Sequence, residues 1–127
     1  MADDPLAGAR ILVAEDEYLL AEELQAALVE LGTRVIGPAA SLADALALIE
    51  TADARLDAAI LDINLGGEPA FVAADRLARD GIPLIFVTGY DAAALPARFR
   101  LRPLLEKPVD LRRVAALLRE MIGALPR

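Results

Sequence analysis

The sequence predicts an α/β fold in which five parallel strands form a doubly wound sheet with helices on both faces. Short apolar runs of strand length alternate five times with segments whose apolar residues recur at helical spacing. The strand runs are mainly apolar rather than alternating between apolar and polar residues, which indicates burial on both faces, as in a parallel sheet covered by helices. A hydrophobic content of 57% agrees with this, and 127 residues suffice for one domain, which we expect at 1–127 with its core at about 10–122.

Five apolar runs are the predicted strands. They cover residues 10–14, 34–39, 58–62, 83–87 and 104–105. The second run contains Gly37-Pro38, and because proline lacks a backbone donor this strand is best placed at a sheet edge. The third run ends in Asp62, so it delivers a carboxylate to its carboxyl end. An acid in that position commonly serves only to open a turn.

The first two helices are predicted from apolar spacing and end signals. Apolar residues recur with a helical period over Leu20–Leu31, and Gly32 supplies the stop. Ser41, followed three residues later by Asp44, resembles a capping box and opens the second helix.

The third and the final helix are predicted from clear signals, whereas the segment between them is not. Pro69 is placed to start the third helix, which ends at Gly81. Between Asp91 and Arg102 we expect only a short or irregular helix, because Pro96 interrupts it. The final helix has apolar residues on its inner face from Leu111 to Ile122.

The composition excludes several classes of function. The chain has no cysteine and therefore no disulfide framework, thiol nucleophile or thiolate metal site. It has no histidine, which excludes a phosphohistidine on this chain. A net charge of −7 argues against binding nucleic acid by itself. The acidic N-terminus and the lack of a long apolar run argue against a secretory signal and a membrane span, so we expect a cytoplasmic protein.

Polar side chains follow four of the predicted strands at the point where each ends. Glu15 and Asp16 follow the first strand, Asp62 the third, Thr88 the fourth and Lys107 the fifth. Because the carboxyl ends of parallel strands meet at one edge of a sheet, these side chains are predicted to share a pocket. That convergence favours a functional role for Asp62 over a turn.

The predicted pocket needs a cation. Carboxylates about 4 Å apart repel by roughly 4 kcal/mol per pair at an effective dielectric near 20. An all-oxygen ligand set suits Mg²⁺. Lys107 is the single lysine among 13 basic residues, and its compact ammonium differs from the guanidinium fork of the others. An acid nucleophile, a divalent metal, an ammonium and a hydroxyl suit a site that forms an acyl phosphate on a carboxylate.

Four motifs together resemble the receiver domain of a two-component response regulator. They are Leu-Val-Ala-Glu-Asp-Glu at 12–17, Ala-Ile-Leu-Asp-Ile-Asn-Leu at 59–65, Val-Thr-Gly-Tyr at 87–90 and Glu-Lys-Pro at 106–108. Each motif alone is weak, but their order and spacing cover nearly the whole chain. The resemblance implies a flavodoxin-like (βα)5 fold with strand order 2-1-3-4-5. It also implies a cis bond between Lys107 and Pro108.

The resemblance further implies the roles of the site residues. Asp62 would accept a phosphoryl group from a phosphohistidine on a sensor histidine kinase, the Thr88 hydroxyl would bond a phosphoryl oxygen, and Lys107 would be its basic partner. The implied Mg²⁺ ligands are Glu15, Asp16, Asp62 and the backbone carbonyl of Asn64. By this resemblance the chain is a phosphoacceptor rather than an enzyme acting on a separate substrate.

One position departs from the family pattern. Receivers usually carry a switch aromatic three residues before the lysine, where this chain has Leu104. Tyr90 is the nearest aromatic after Thr88, and Gly89 leaves space beside Thr88. The Thr-Gly-Tyr sequence resembles a subgroup of proteobacterial receivers, many of them stand-alone. We hypothesise that Tyr90 replaces the switch aromatic or gates water; a partly packed loop aromatic is an equally good interpretation.

Three other functions compete with a phosphorylated receiver. A flavodoxin-like carrier of a phosphate cofactor is disfavoured because the first strand is followed by three acids. A carboxylate-nucleophile phosphatase is disfavoured because its acid would follow the first strand, whereas Asp62 follows the third. A degenerate receiver that binds partners without phosphorylation is the remaining alternative.

The expected partners follow from the same resemblance. They are a sensor histidine kinase, a histidine phosphotransfer protein, or both, with no nucleic acid or membrane. The chain stops about five residues after its last helix, so we expect no output domain, and signalling by protein binding or phosphorelay. A homodimer through the fourth and fifth units is possible, because arginines cluster there at 98, 100, 102, 112, 113 and 119.

Overall fold

The computed structural model describes residues 4–51, 55–89 and 95–125. Its strands are β1 (Arg10–Ala14), β2 (Arg34–Ala39), β3 (Ala58–Asp62), β4 (Asn64–Leu65), β5 (Glu68–Pro69), β6 (Leu84–Thr88) and β7 (Leu104–Glu106). Five of them form one parallel sheet in the order β2-β1-β3-β6-β7. This confirms the predicted fold class and, counting the sheet strands along the chain, the order 2-1-3-4-5.

Helices cover both faces of the sheet. They are α1 (Tyr18–Glu30), α2 (Leu42–Thr51), α3 (Phe71–Arg79) and α4 (Leu111–Gly123). Two apolar cores lie on opposite faces: α1 and α4 contribute to one, and α2 and α3 contribute to the other. The sheet is therefore doubly wound, as predicted. None of the described helices is long and apolar enough to cross a membrane.

The start of the third helix differs from the prediction. Pro69 does not open it; Pro69 lies in β5 and pairs with Asn64 of β4 in a short antiparallel hairpin. The backbone N–H of Ala70 donates to the carbonyl of Ile63 at 2.8 Å, so the hairpin folds back onto the end of β3. The helix then begins at Phe71.

The fourth crossover is irregular, as Pro96 predicted. In the described part between β6 and β7, a 3₁₀-helix covers Ala97–Phe99 directly after Pro96. Phe99 is buried against the core formed with α2 and α3. Residues 90–94, including Tyr90, lie outside the described residues, so the hypothesis for Tyr90 remains a hypothesis.

The two central strands bring polar residues into the interior. Every residue of β3 and β6 is buried, including Asp62 and Thr88 at their carboxyl ends. In the sheet register Asp62 lies opposite Val87, one residue before Thr88. The strand ends are therefore level, and their side chains meet at one edge of the sheet.

An irregularity in the edge strand β2 positions the end of β1. The pairing of β1 with β2 shifts register between Leu12 and Ala14, beside a cis Gly37-Pro38 bond. Gly37 has a φ of 107°, and an added Cβ would lie 2.7 Å from the carbonyl oxygen of Val13. Only glycine fits this close approach. Beyond the shift the backbone N–H of Glu15 donates to Ala39 at 2.9 Å, which places Glu15 at the sheet edge.

Candidate functional site

Three acidic side chains meet at the carboxyl edge of the sheet. Glu15, Asp16 and Asp62 offer carboxylate oxygens that all lie within 4.8 Å of one another. Glu15 is 2% exposed and Asp62 is 4% exposed, whereas Asp16 faces solvent. Because Glu15 and Asp16 follow β1 and Asp62 ends the neighbouring strand β3, the sheet order itself creates the cluster.

Lys107 reaches this cluster from the loop after β7. Its Nζ donates to Asp62 Oδ2 at 2.7 Å, to Glu17 Oε2 at 2.8 Å and to Glu15 Oε2 at 3.1 Å. Its backbone N–H donates to the Thr88 carbonyl at 2.8 Å, which anchors the loop beside β6. The Lys107-Pro108 bond is cis, as the resemblance implied.

The pKa values of Glu15 and Lys107 are both shifted within the cluster. Burial, together with the adjacent Asp62 carboxylate, raises the pKa of Glu15 to about 8. Burial alone would lower the pKa of Lys107, but hydrogen bonds to Asp62, Glu17 and Glu15 more than offset burial and raise it. Lys107 is therefore a fixed positive charge, and the buried Glu15 carboxyl holds its proton more tightly than an isolated acid does.

The cluster has the properties of a site for a hard divalent cation. Its donors are carboxylate oxygens, and the chain contains no histidine or cysteine to favour a softer metal. Glu15 Oε1 is buried and makes no hydrogen bond within the described structure. An unpartnered buried acceptor is costly, and a metal ligand role would satisfy it. These residues therefore fit Mg²⁺.

The loop after β3 is tied to the acidic cluster. The backbone N–H of Asn64 donates to Asp62 Oδ1 at 2.9 Å, which orients the Asp62 carboxylate. The Asn64 side chain accepts from Gly67 at 2.9 Å, and Asp16 Oδ2 accepts from Gly66 at 3.0 Å. The hairpin and the acidic cluster are thus held by the same set of hydrogen bonds.

An open cleft of about 580 Å³ lies over the cluster. Its lining residues are Asp16, Asp62, Ile63, Asn64, Gly67, Pro69, Phe71, Thr88, Gly89 and Lys107. An added Cβ on Gly89 would be 3.7 Å from Lys107 Cδ, an ordinary contact, so Gly89 leaves room in the cleft without being required by its backbone. The cleft gives a ligand direct access to Asp62.

Leu104 does not lie in this cleft. It is half-buried on β7, opposite Phe86 in the register, and packs against the core on the α2 and α3 face. The three phenylalanines of the chain form a cluster on the same face: the centre of the Phe99 ring is 5.2 Å from that of Phe86 and 6.1 Å from that of Phe71. Since Phe71 also lines the cleft, these rings connect the site to the fourth crossover. Sequence reasoning missed this cluster because its members are far apart along the chain.

Two of the clustered arginines are engaged within the chain. Arg98 makes a bidentate pair with Asp75 of α3, with both hydrogen bonds at 2.8 Å, and lies 4.7 Å from the centre of the Phe99 ring. Arg119 pairs in the same way with Asp4 at 3.2 Å. These pairs fasten the fourth crossover and the N-terminal segment to neighbouring helices.

Comparison with known proteins identifies the family. The family model of the response regulator receiver domain matches residues 11–119, so the chain belongs to the response regulator receivers. Members of this family are signalling modules that act through partner proteins rather than classical enzymes. No curated protein matches the chain.

Solved structures agree with this family. SdrG from Sphingomonas melonis Fr1 is 40% identical, with a TM-score of 0.77 over 91% of this chain and 97% of SdrG. The response regulator PhyR from Brucella abortus is 28% identical, with a TM-score of 0.77 over 94% of this chain and 51% of PhyR, so this chain spans about half of that relative. The receiver domain of Erythrobacter litoralis PhyR has a TM-score of 0.80 over 96% of this chain and 97% of that chain, and at 23% identity it shows the fold alone.

Proposed function

We propose that the chain is a phosphorylatable receiver that accepts a phosphoryl group on Asp62 from a phosphohistidine of a sensor histidine kinase. The contact that carries the proposal is the 2.7 Å hydrogen bond between Lys107 Nζ and Asp62 Oδ2, made in a buried acidic cluster open to the cleft. Asp62 and Glu15 are both buried and paired with Lys107, but of the two only Asp62 lines the cleft, so Asp62 is the one placed as a carboxylate nucleophile.

In the proposed transfer, a carboxylate oxygen of Asp62 attacks the phosphorus atom. The new P–O bond forms as the P–N bond to the imidazole breaks, and the imidazole keeps the electron pair. The backbone N–H of Asn64 orients the same carboxylate by donating a 2.9 Å hydrogen bond to Asp62 Oδ1. Positioning and charge stabilisation account for most of the catalysis in phosphoryl transfer, so these fixed contacts are what the protein supplies.

Mg²⁺ would be held by Glu15, Asp16, Asp62 and the Asn64 carbonyl, and when bound it would neutralise negative charge on the phosphoryl oxygens. Lys107 supplies the remaining positive charge from the chain itself. The Thr88 hydroxyl, at the end of β6 on the cleft wall, is proposed to donate to a phosphoryl oxygen. The side chains of Ile63 and Phe71 form apolar parts of the cleft wall.

The output is proposed to be protein binding or phosphorelay. A histidine phosphotransfer protein is the proposed relay partner, and a homodimer through the fourth and fifth units is a further proposed assembly. Arg100, Arg112 and Arg113 are exposed on these units and suit an acidic partner surface. We place this signalling in the cytoplasm and assign it to a single receiver domain over 1–127.

The test uses Mg²⁺ with acetyl phosphate as the phosphodonor, read by intact mass and size exclusion. Wild type should gain the mass of one phosphoryl group, and Asp62→Ala should gain none. Asp44→Ala removes an exposed acid on α2 and serves as the matched control, which should be labelled like wild type. Labelling that persists in Asp62→Ala would overturn the assignment. Absence of labelling in wild type would favour the phosphorylation-independent receiver.

A further inference from the structure

Glu17 takes part in this site although neither the strand-end rule nor the family motif assigns it a role there. It is the N-cap residue of α1, with φ −79° and ψ 109°, yet its side chain makes no capping hydrogen bond. Glutamate is a weak choice at this position, where Ser, Thr, Asp and Asn are preferred. Its Oε2 instead accepts from Lys107 at 2.8 Å, although 58% of the Glu17 side chain is exposed.

The three partners of Lys107 differ in what else they do. An ammonium has three N–H donors, and each donor of Lys107 has one carboxylate partner. Under the proposed function, Asp62 becomes an acyl phosphate and Glu15 becomes a metal ligand. The hydrogen bonds that Asp62 and Glu15 make to Lys107 are then weakened or lost. Glu17 is neither the phosphoacceptor nor a proposed metal ligand. Its hydrogen bond to Lys107 can therefore persist while Asp62 is phosphorylated.

We propose that Glu17 is a positioning residue that holds the Lys107 ammonium at the mouth of the cleft while a phosphoryl group occupies Asp62. This inference rests on the proposed function of the site. Lys107 carries its charge on a long flexible stem that must be ordered before it can contact an oxygen. The Glu17 backbone N–H donates to Glu15 Oε2 at 2.9 Å, so the anchor is itself fixed to the end of β1.

A positioning role and simple charge repulsion predict opposite effects of removing Glu17 on the affinity for an anion. Glu17 is an acid near the place where an anion binds, and if it acted only through its charge, removing it would tighten anion binding. If it holds Lys107, removing it releases the ammonium and weakens anion binding. The direction of the change therefore distinguishes the two roles.

The binding experiment compares Glu17→Ala, Glu17→Gln and Glu23→Ala. Glu23 is an exposed acid on α1 with no bond to Lys107, so its variant matches the change in net charge. The probe is beryllofluoride, titrated in saturating Mg²⁺. Glu17→Ala should bind about two- to fivefold more weakly than Glu23→Ala, the range of an exposed ion pair. Glu17→Gln keeps an acceptor oxygen and should recover most of the loss. Equal or tighter binding by Glu17→Ala overturns the proposal.

A second measurement needs neither metal nor phosphoryl analogue. Lys107 is the single lysine of the chain, so protein labelled with ¹⁵N-lysine has one side-chain ammonium resonance. In metal-free protein, Glu17→Ala should shift this resonance and lower the pKa of Lys107, and Glu23→Ala should do neither. An unchanged resonance in Glu17→Ala also overturns the proposal. If wild type fails to bind beryllofluoride, the proposed function fails; if it binds and Glu17→Ala behaves like Glu23→Ala, only the role of Glu17 fails.

Discussion

Mg²⁺ binding should depend steeply on pH because one of its proposed ligands holds a proton at neutral pH. Glu15 is almost fully buried beside Asp62, and burial together with the Asp62 carboxylate raises the pKa of Glu15 to about 8. A carboxylate must lose its proton before it can bind a metal ion. Raising the pH from 6 to 8 should therefore tighten Mg²⁺ binding, and each ion bound near pH 7 should release about one proton.

The size of the effect follows from the pKa. With a pKa of about 8, Glu15 is ionised in about 1% of molecules at pH 6, about 10% at pH 7 and half at pH 8. The dissociation constant should accordingly fall about tenfold from pH 6 to 7, about fivefold from pH 7 to 8, and about twofold from pH 8 to 9.

Isothermal titration calorimetry in two buffers of different ionisation enthalpy measures both the affinity and the number of protons released. Glu15→Gln removes the titrating group and should bind Mg²⁺ weakly with no proton release above the level of the buffer control. A wild-type dissociation constant that stays constant from pH 6 to 8, with no proton release, would refute the raised pKa of Glu15.

The same pKa fixes the sign of the pH dependence of folding without metal. Between the usual value of 4.5 and about 8, the folded chain binds the Glu15 proton more tightly than the unfolded chain does. This contribution to stability is fully present below the unfolded pKa and is lost as the pH rises through about 8. In saturating Mg²⁺ the folding stability should instead rise with pH across this range. Urea midpoints that rise across this range in metal-free protein would contradict the assignment.

Three further predictions concern the scaffold around the site. Phe99→Ala removes a ring packed 5.2 and 6.1 Å from the other two phenylalanines, and urea unfolding should show a loss of about 3–5 kcal/mol; a loss below about 1 kcal/mol would count against the cluster. Gly37→Ala should destabilise more than Gly67→Ala, because both have positive φ but only Gly37 brings a Cβ to 2.7 Å from a carbonyl oxygen; equal losses would contradict this. The hydrogen bonds from Arg98 hold the pKa of Asp75 below its usual range, so the pair stabilises the folded chain above the unfolded pKa of Asp75 and this stabilisation is lost as the pH falls. Asp75→Asn should therefore reduce the dependence of stability on pH in the acid range, and an unchanged dependence would contradict the role of the pair.

The sheet and the members of its acidic edge are predictable from the sequence for a simple reason. In a buried parallel sheet the strands are apolar runs, and the topology brings every strand end to the same edge. Glu15, Asp16, Asp62, Thr88 and Lys107 could therefore be grouped without any knowledge of distances. The structure places all five there.

The remaining features depend on contacts that a linear pattern does not encode. Pro69 suits the first turn of a helix, but the tertiary bond from Ala70 to Ile63 folds this stretch into a hairpin instead. The local sequence around Glu17 does not indicate its bond to Lys107, because that bond links residues 90 positions apart. The raised pKa of Glu15 likewise results from burial and from Asp62, neither of which is visible in the local sequence.

Residue-level mapping shows directly whether Asp62 carries the phosphoryl group. After phosphorylation by acetyl phosphate in Mg²⁺, borohydride reduces an acyl phosphate to the corresponding alcohol, and mass spectrometry of peptides locates the converted residue. We expect homoserine at position 62 and unchanged carboxylates at Glu15 and Asp16. Conversion at Glu15 or Asp16, or an unconverted Asp62 in protein that carries the phosphoryl mass, would contradict it.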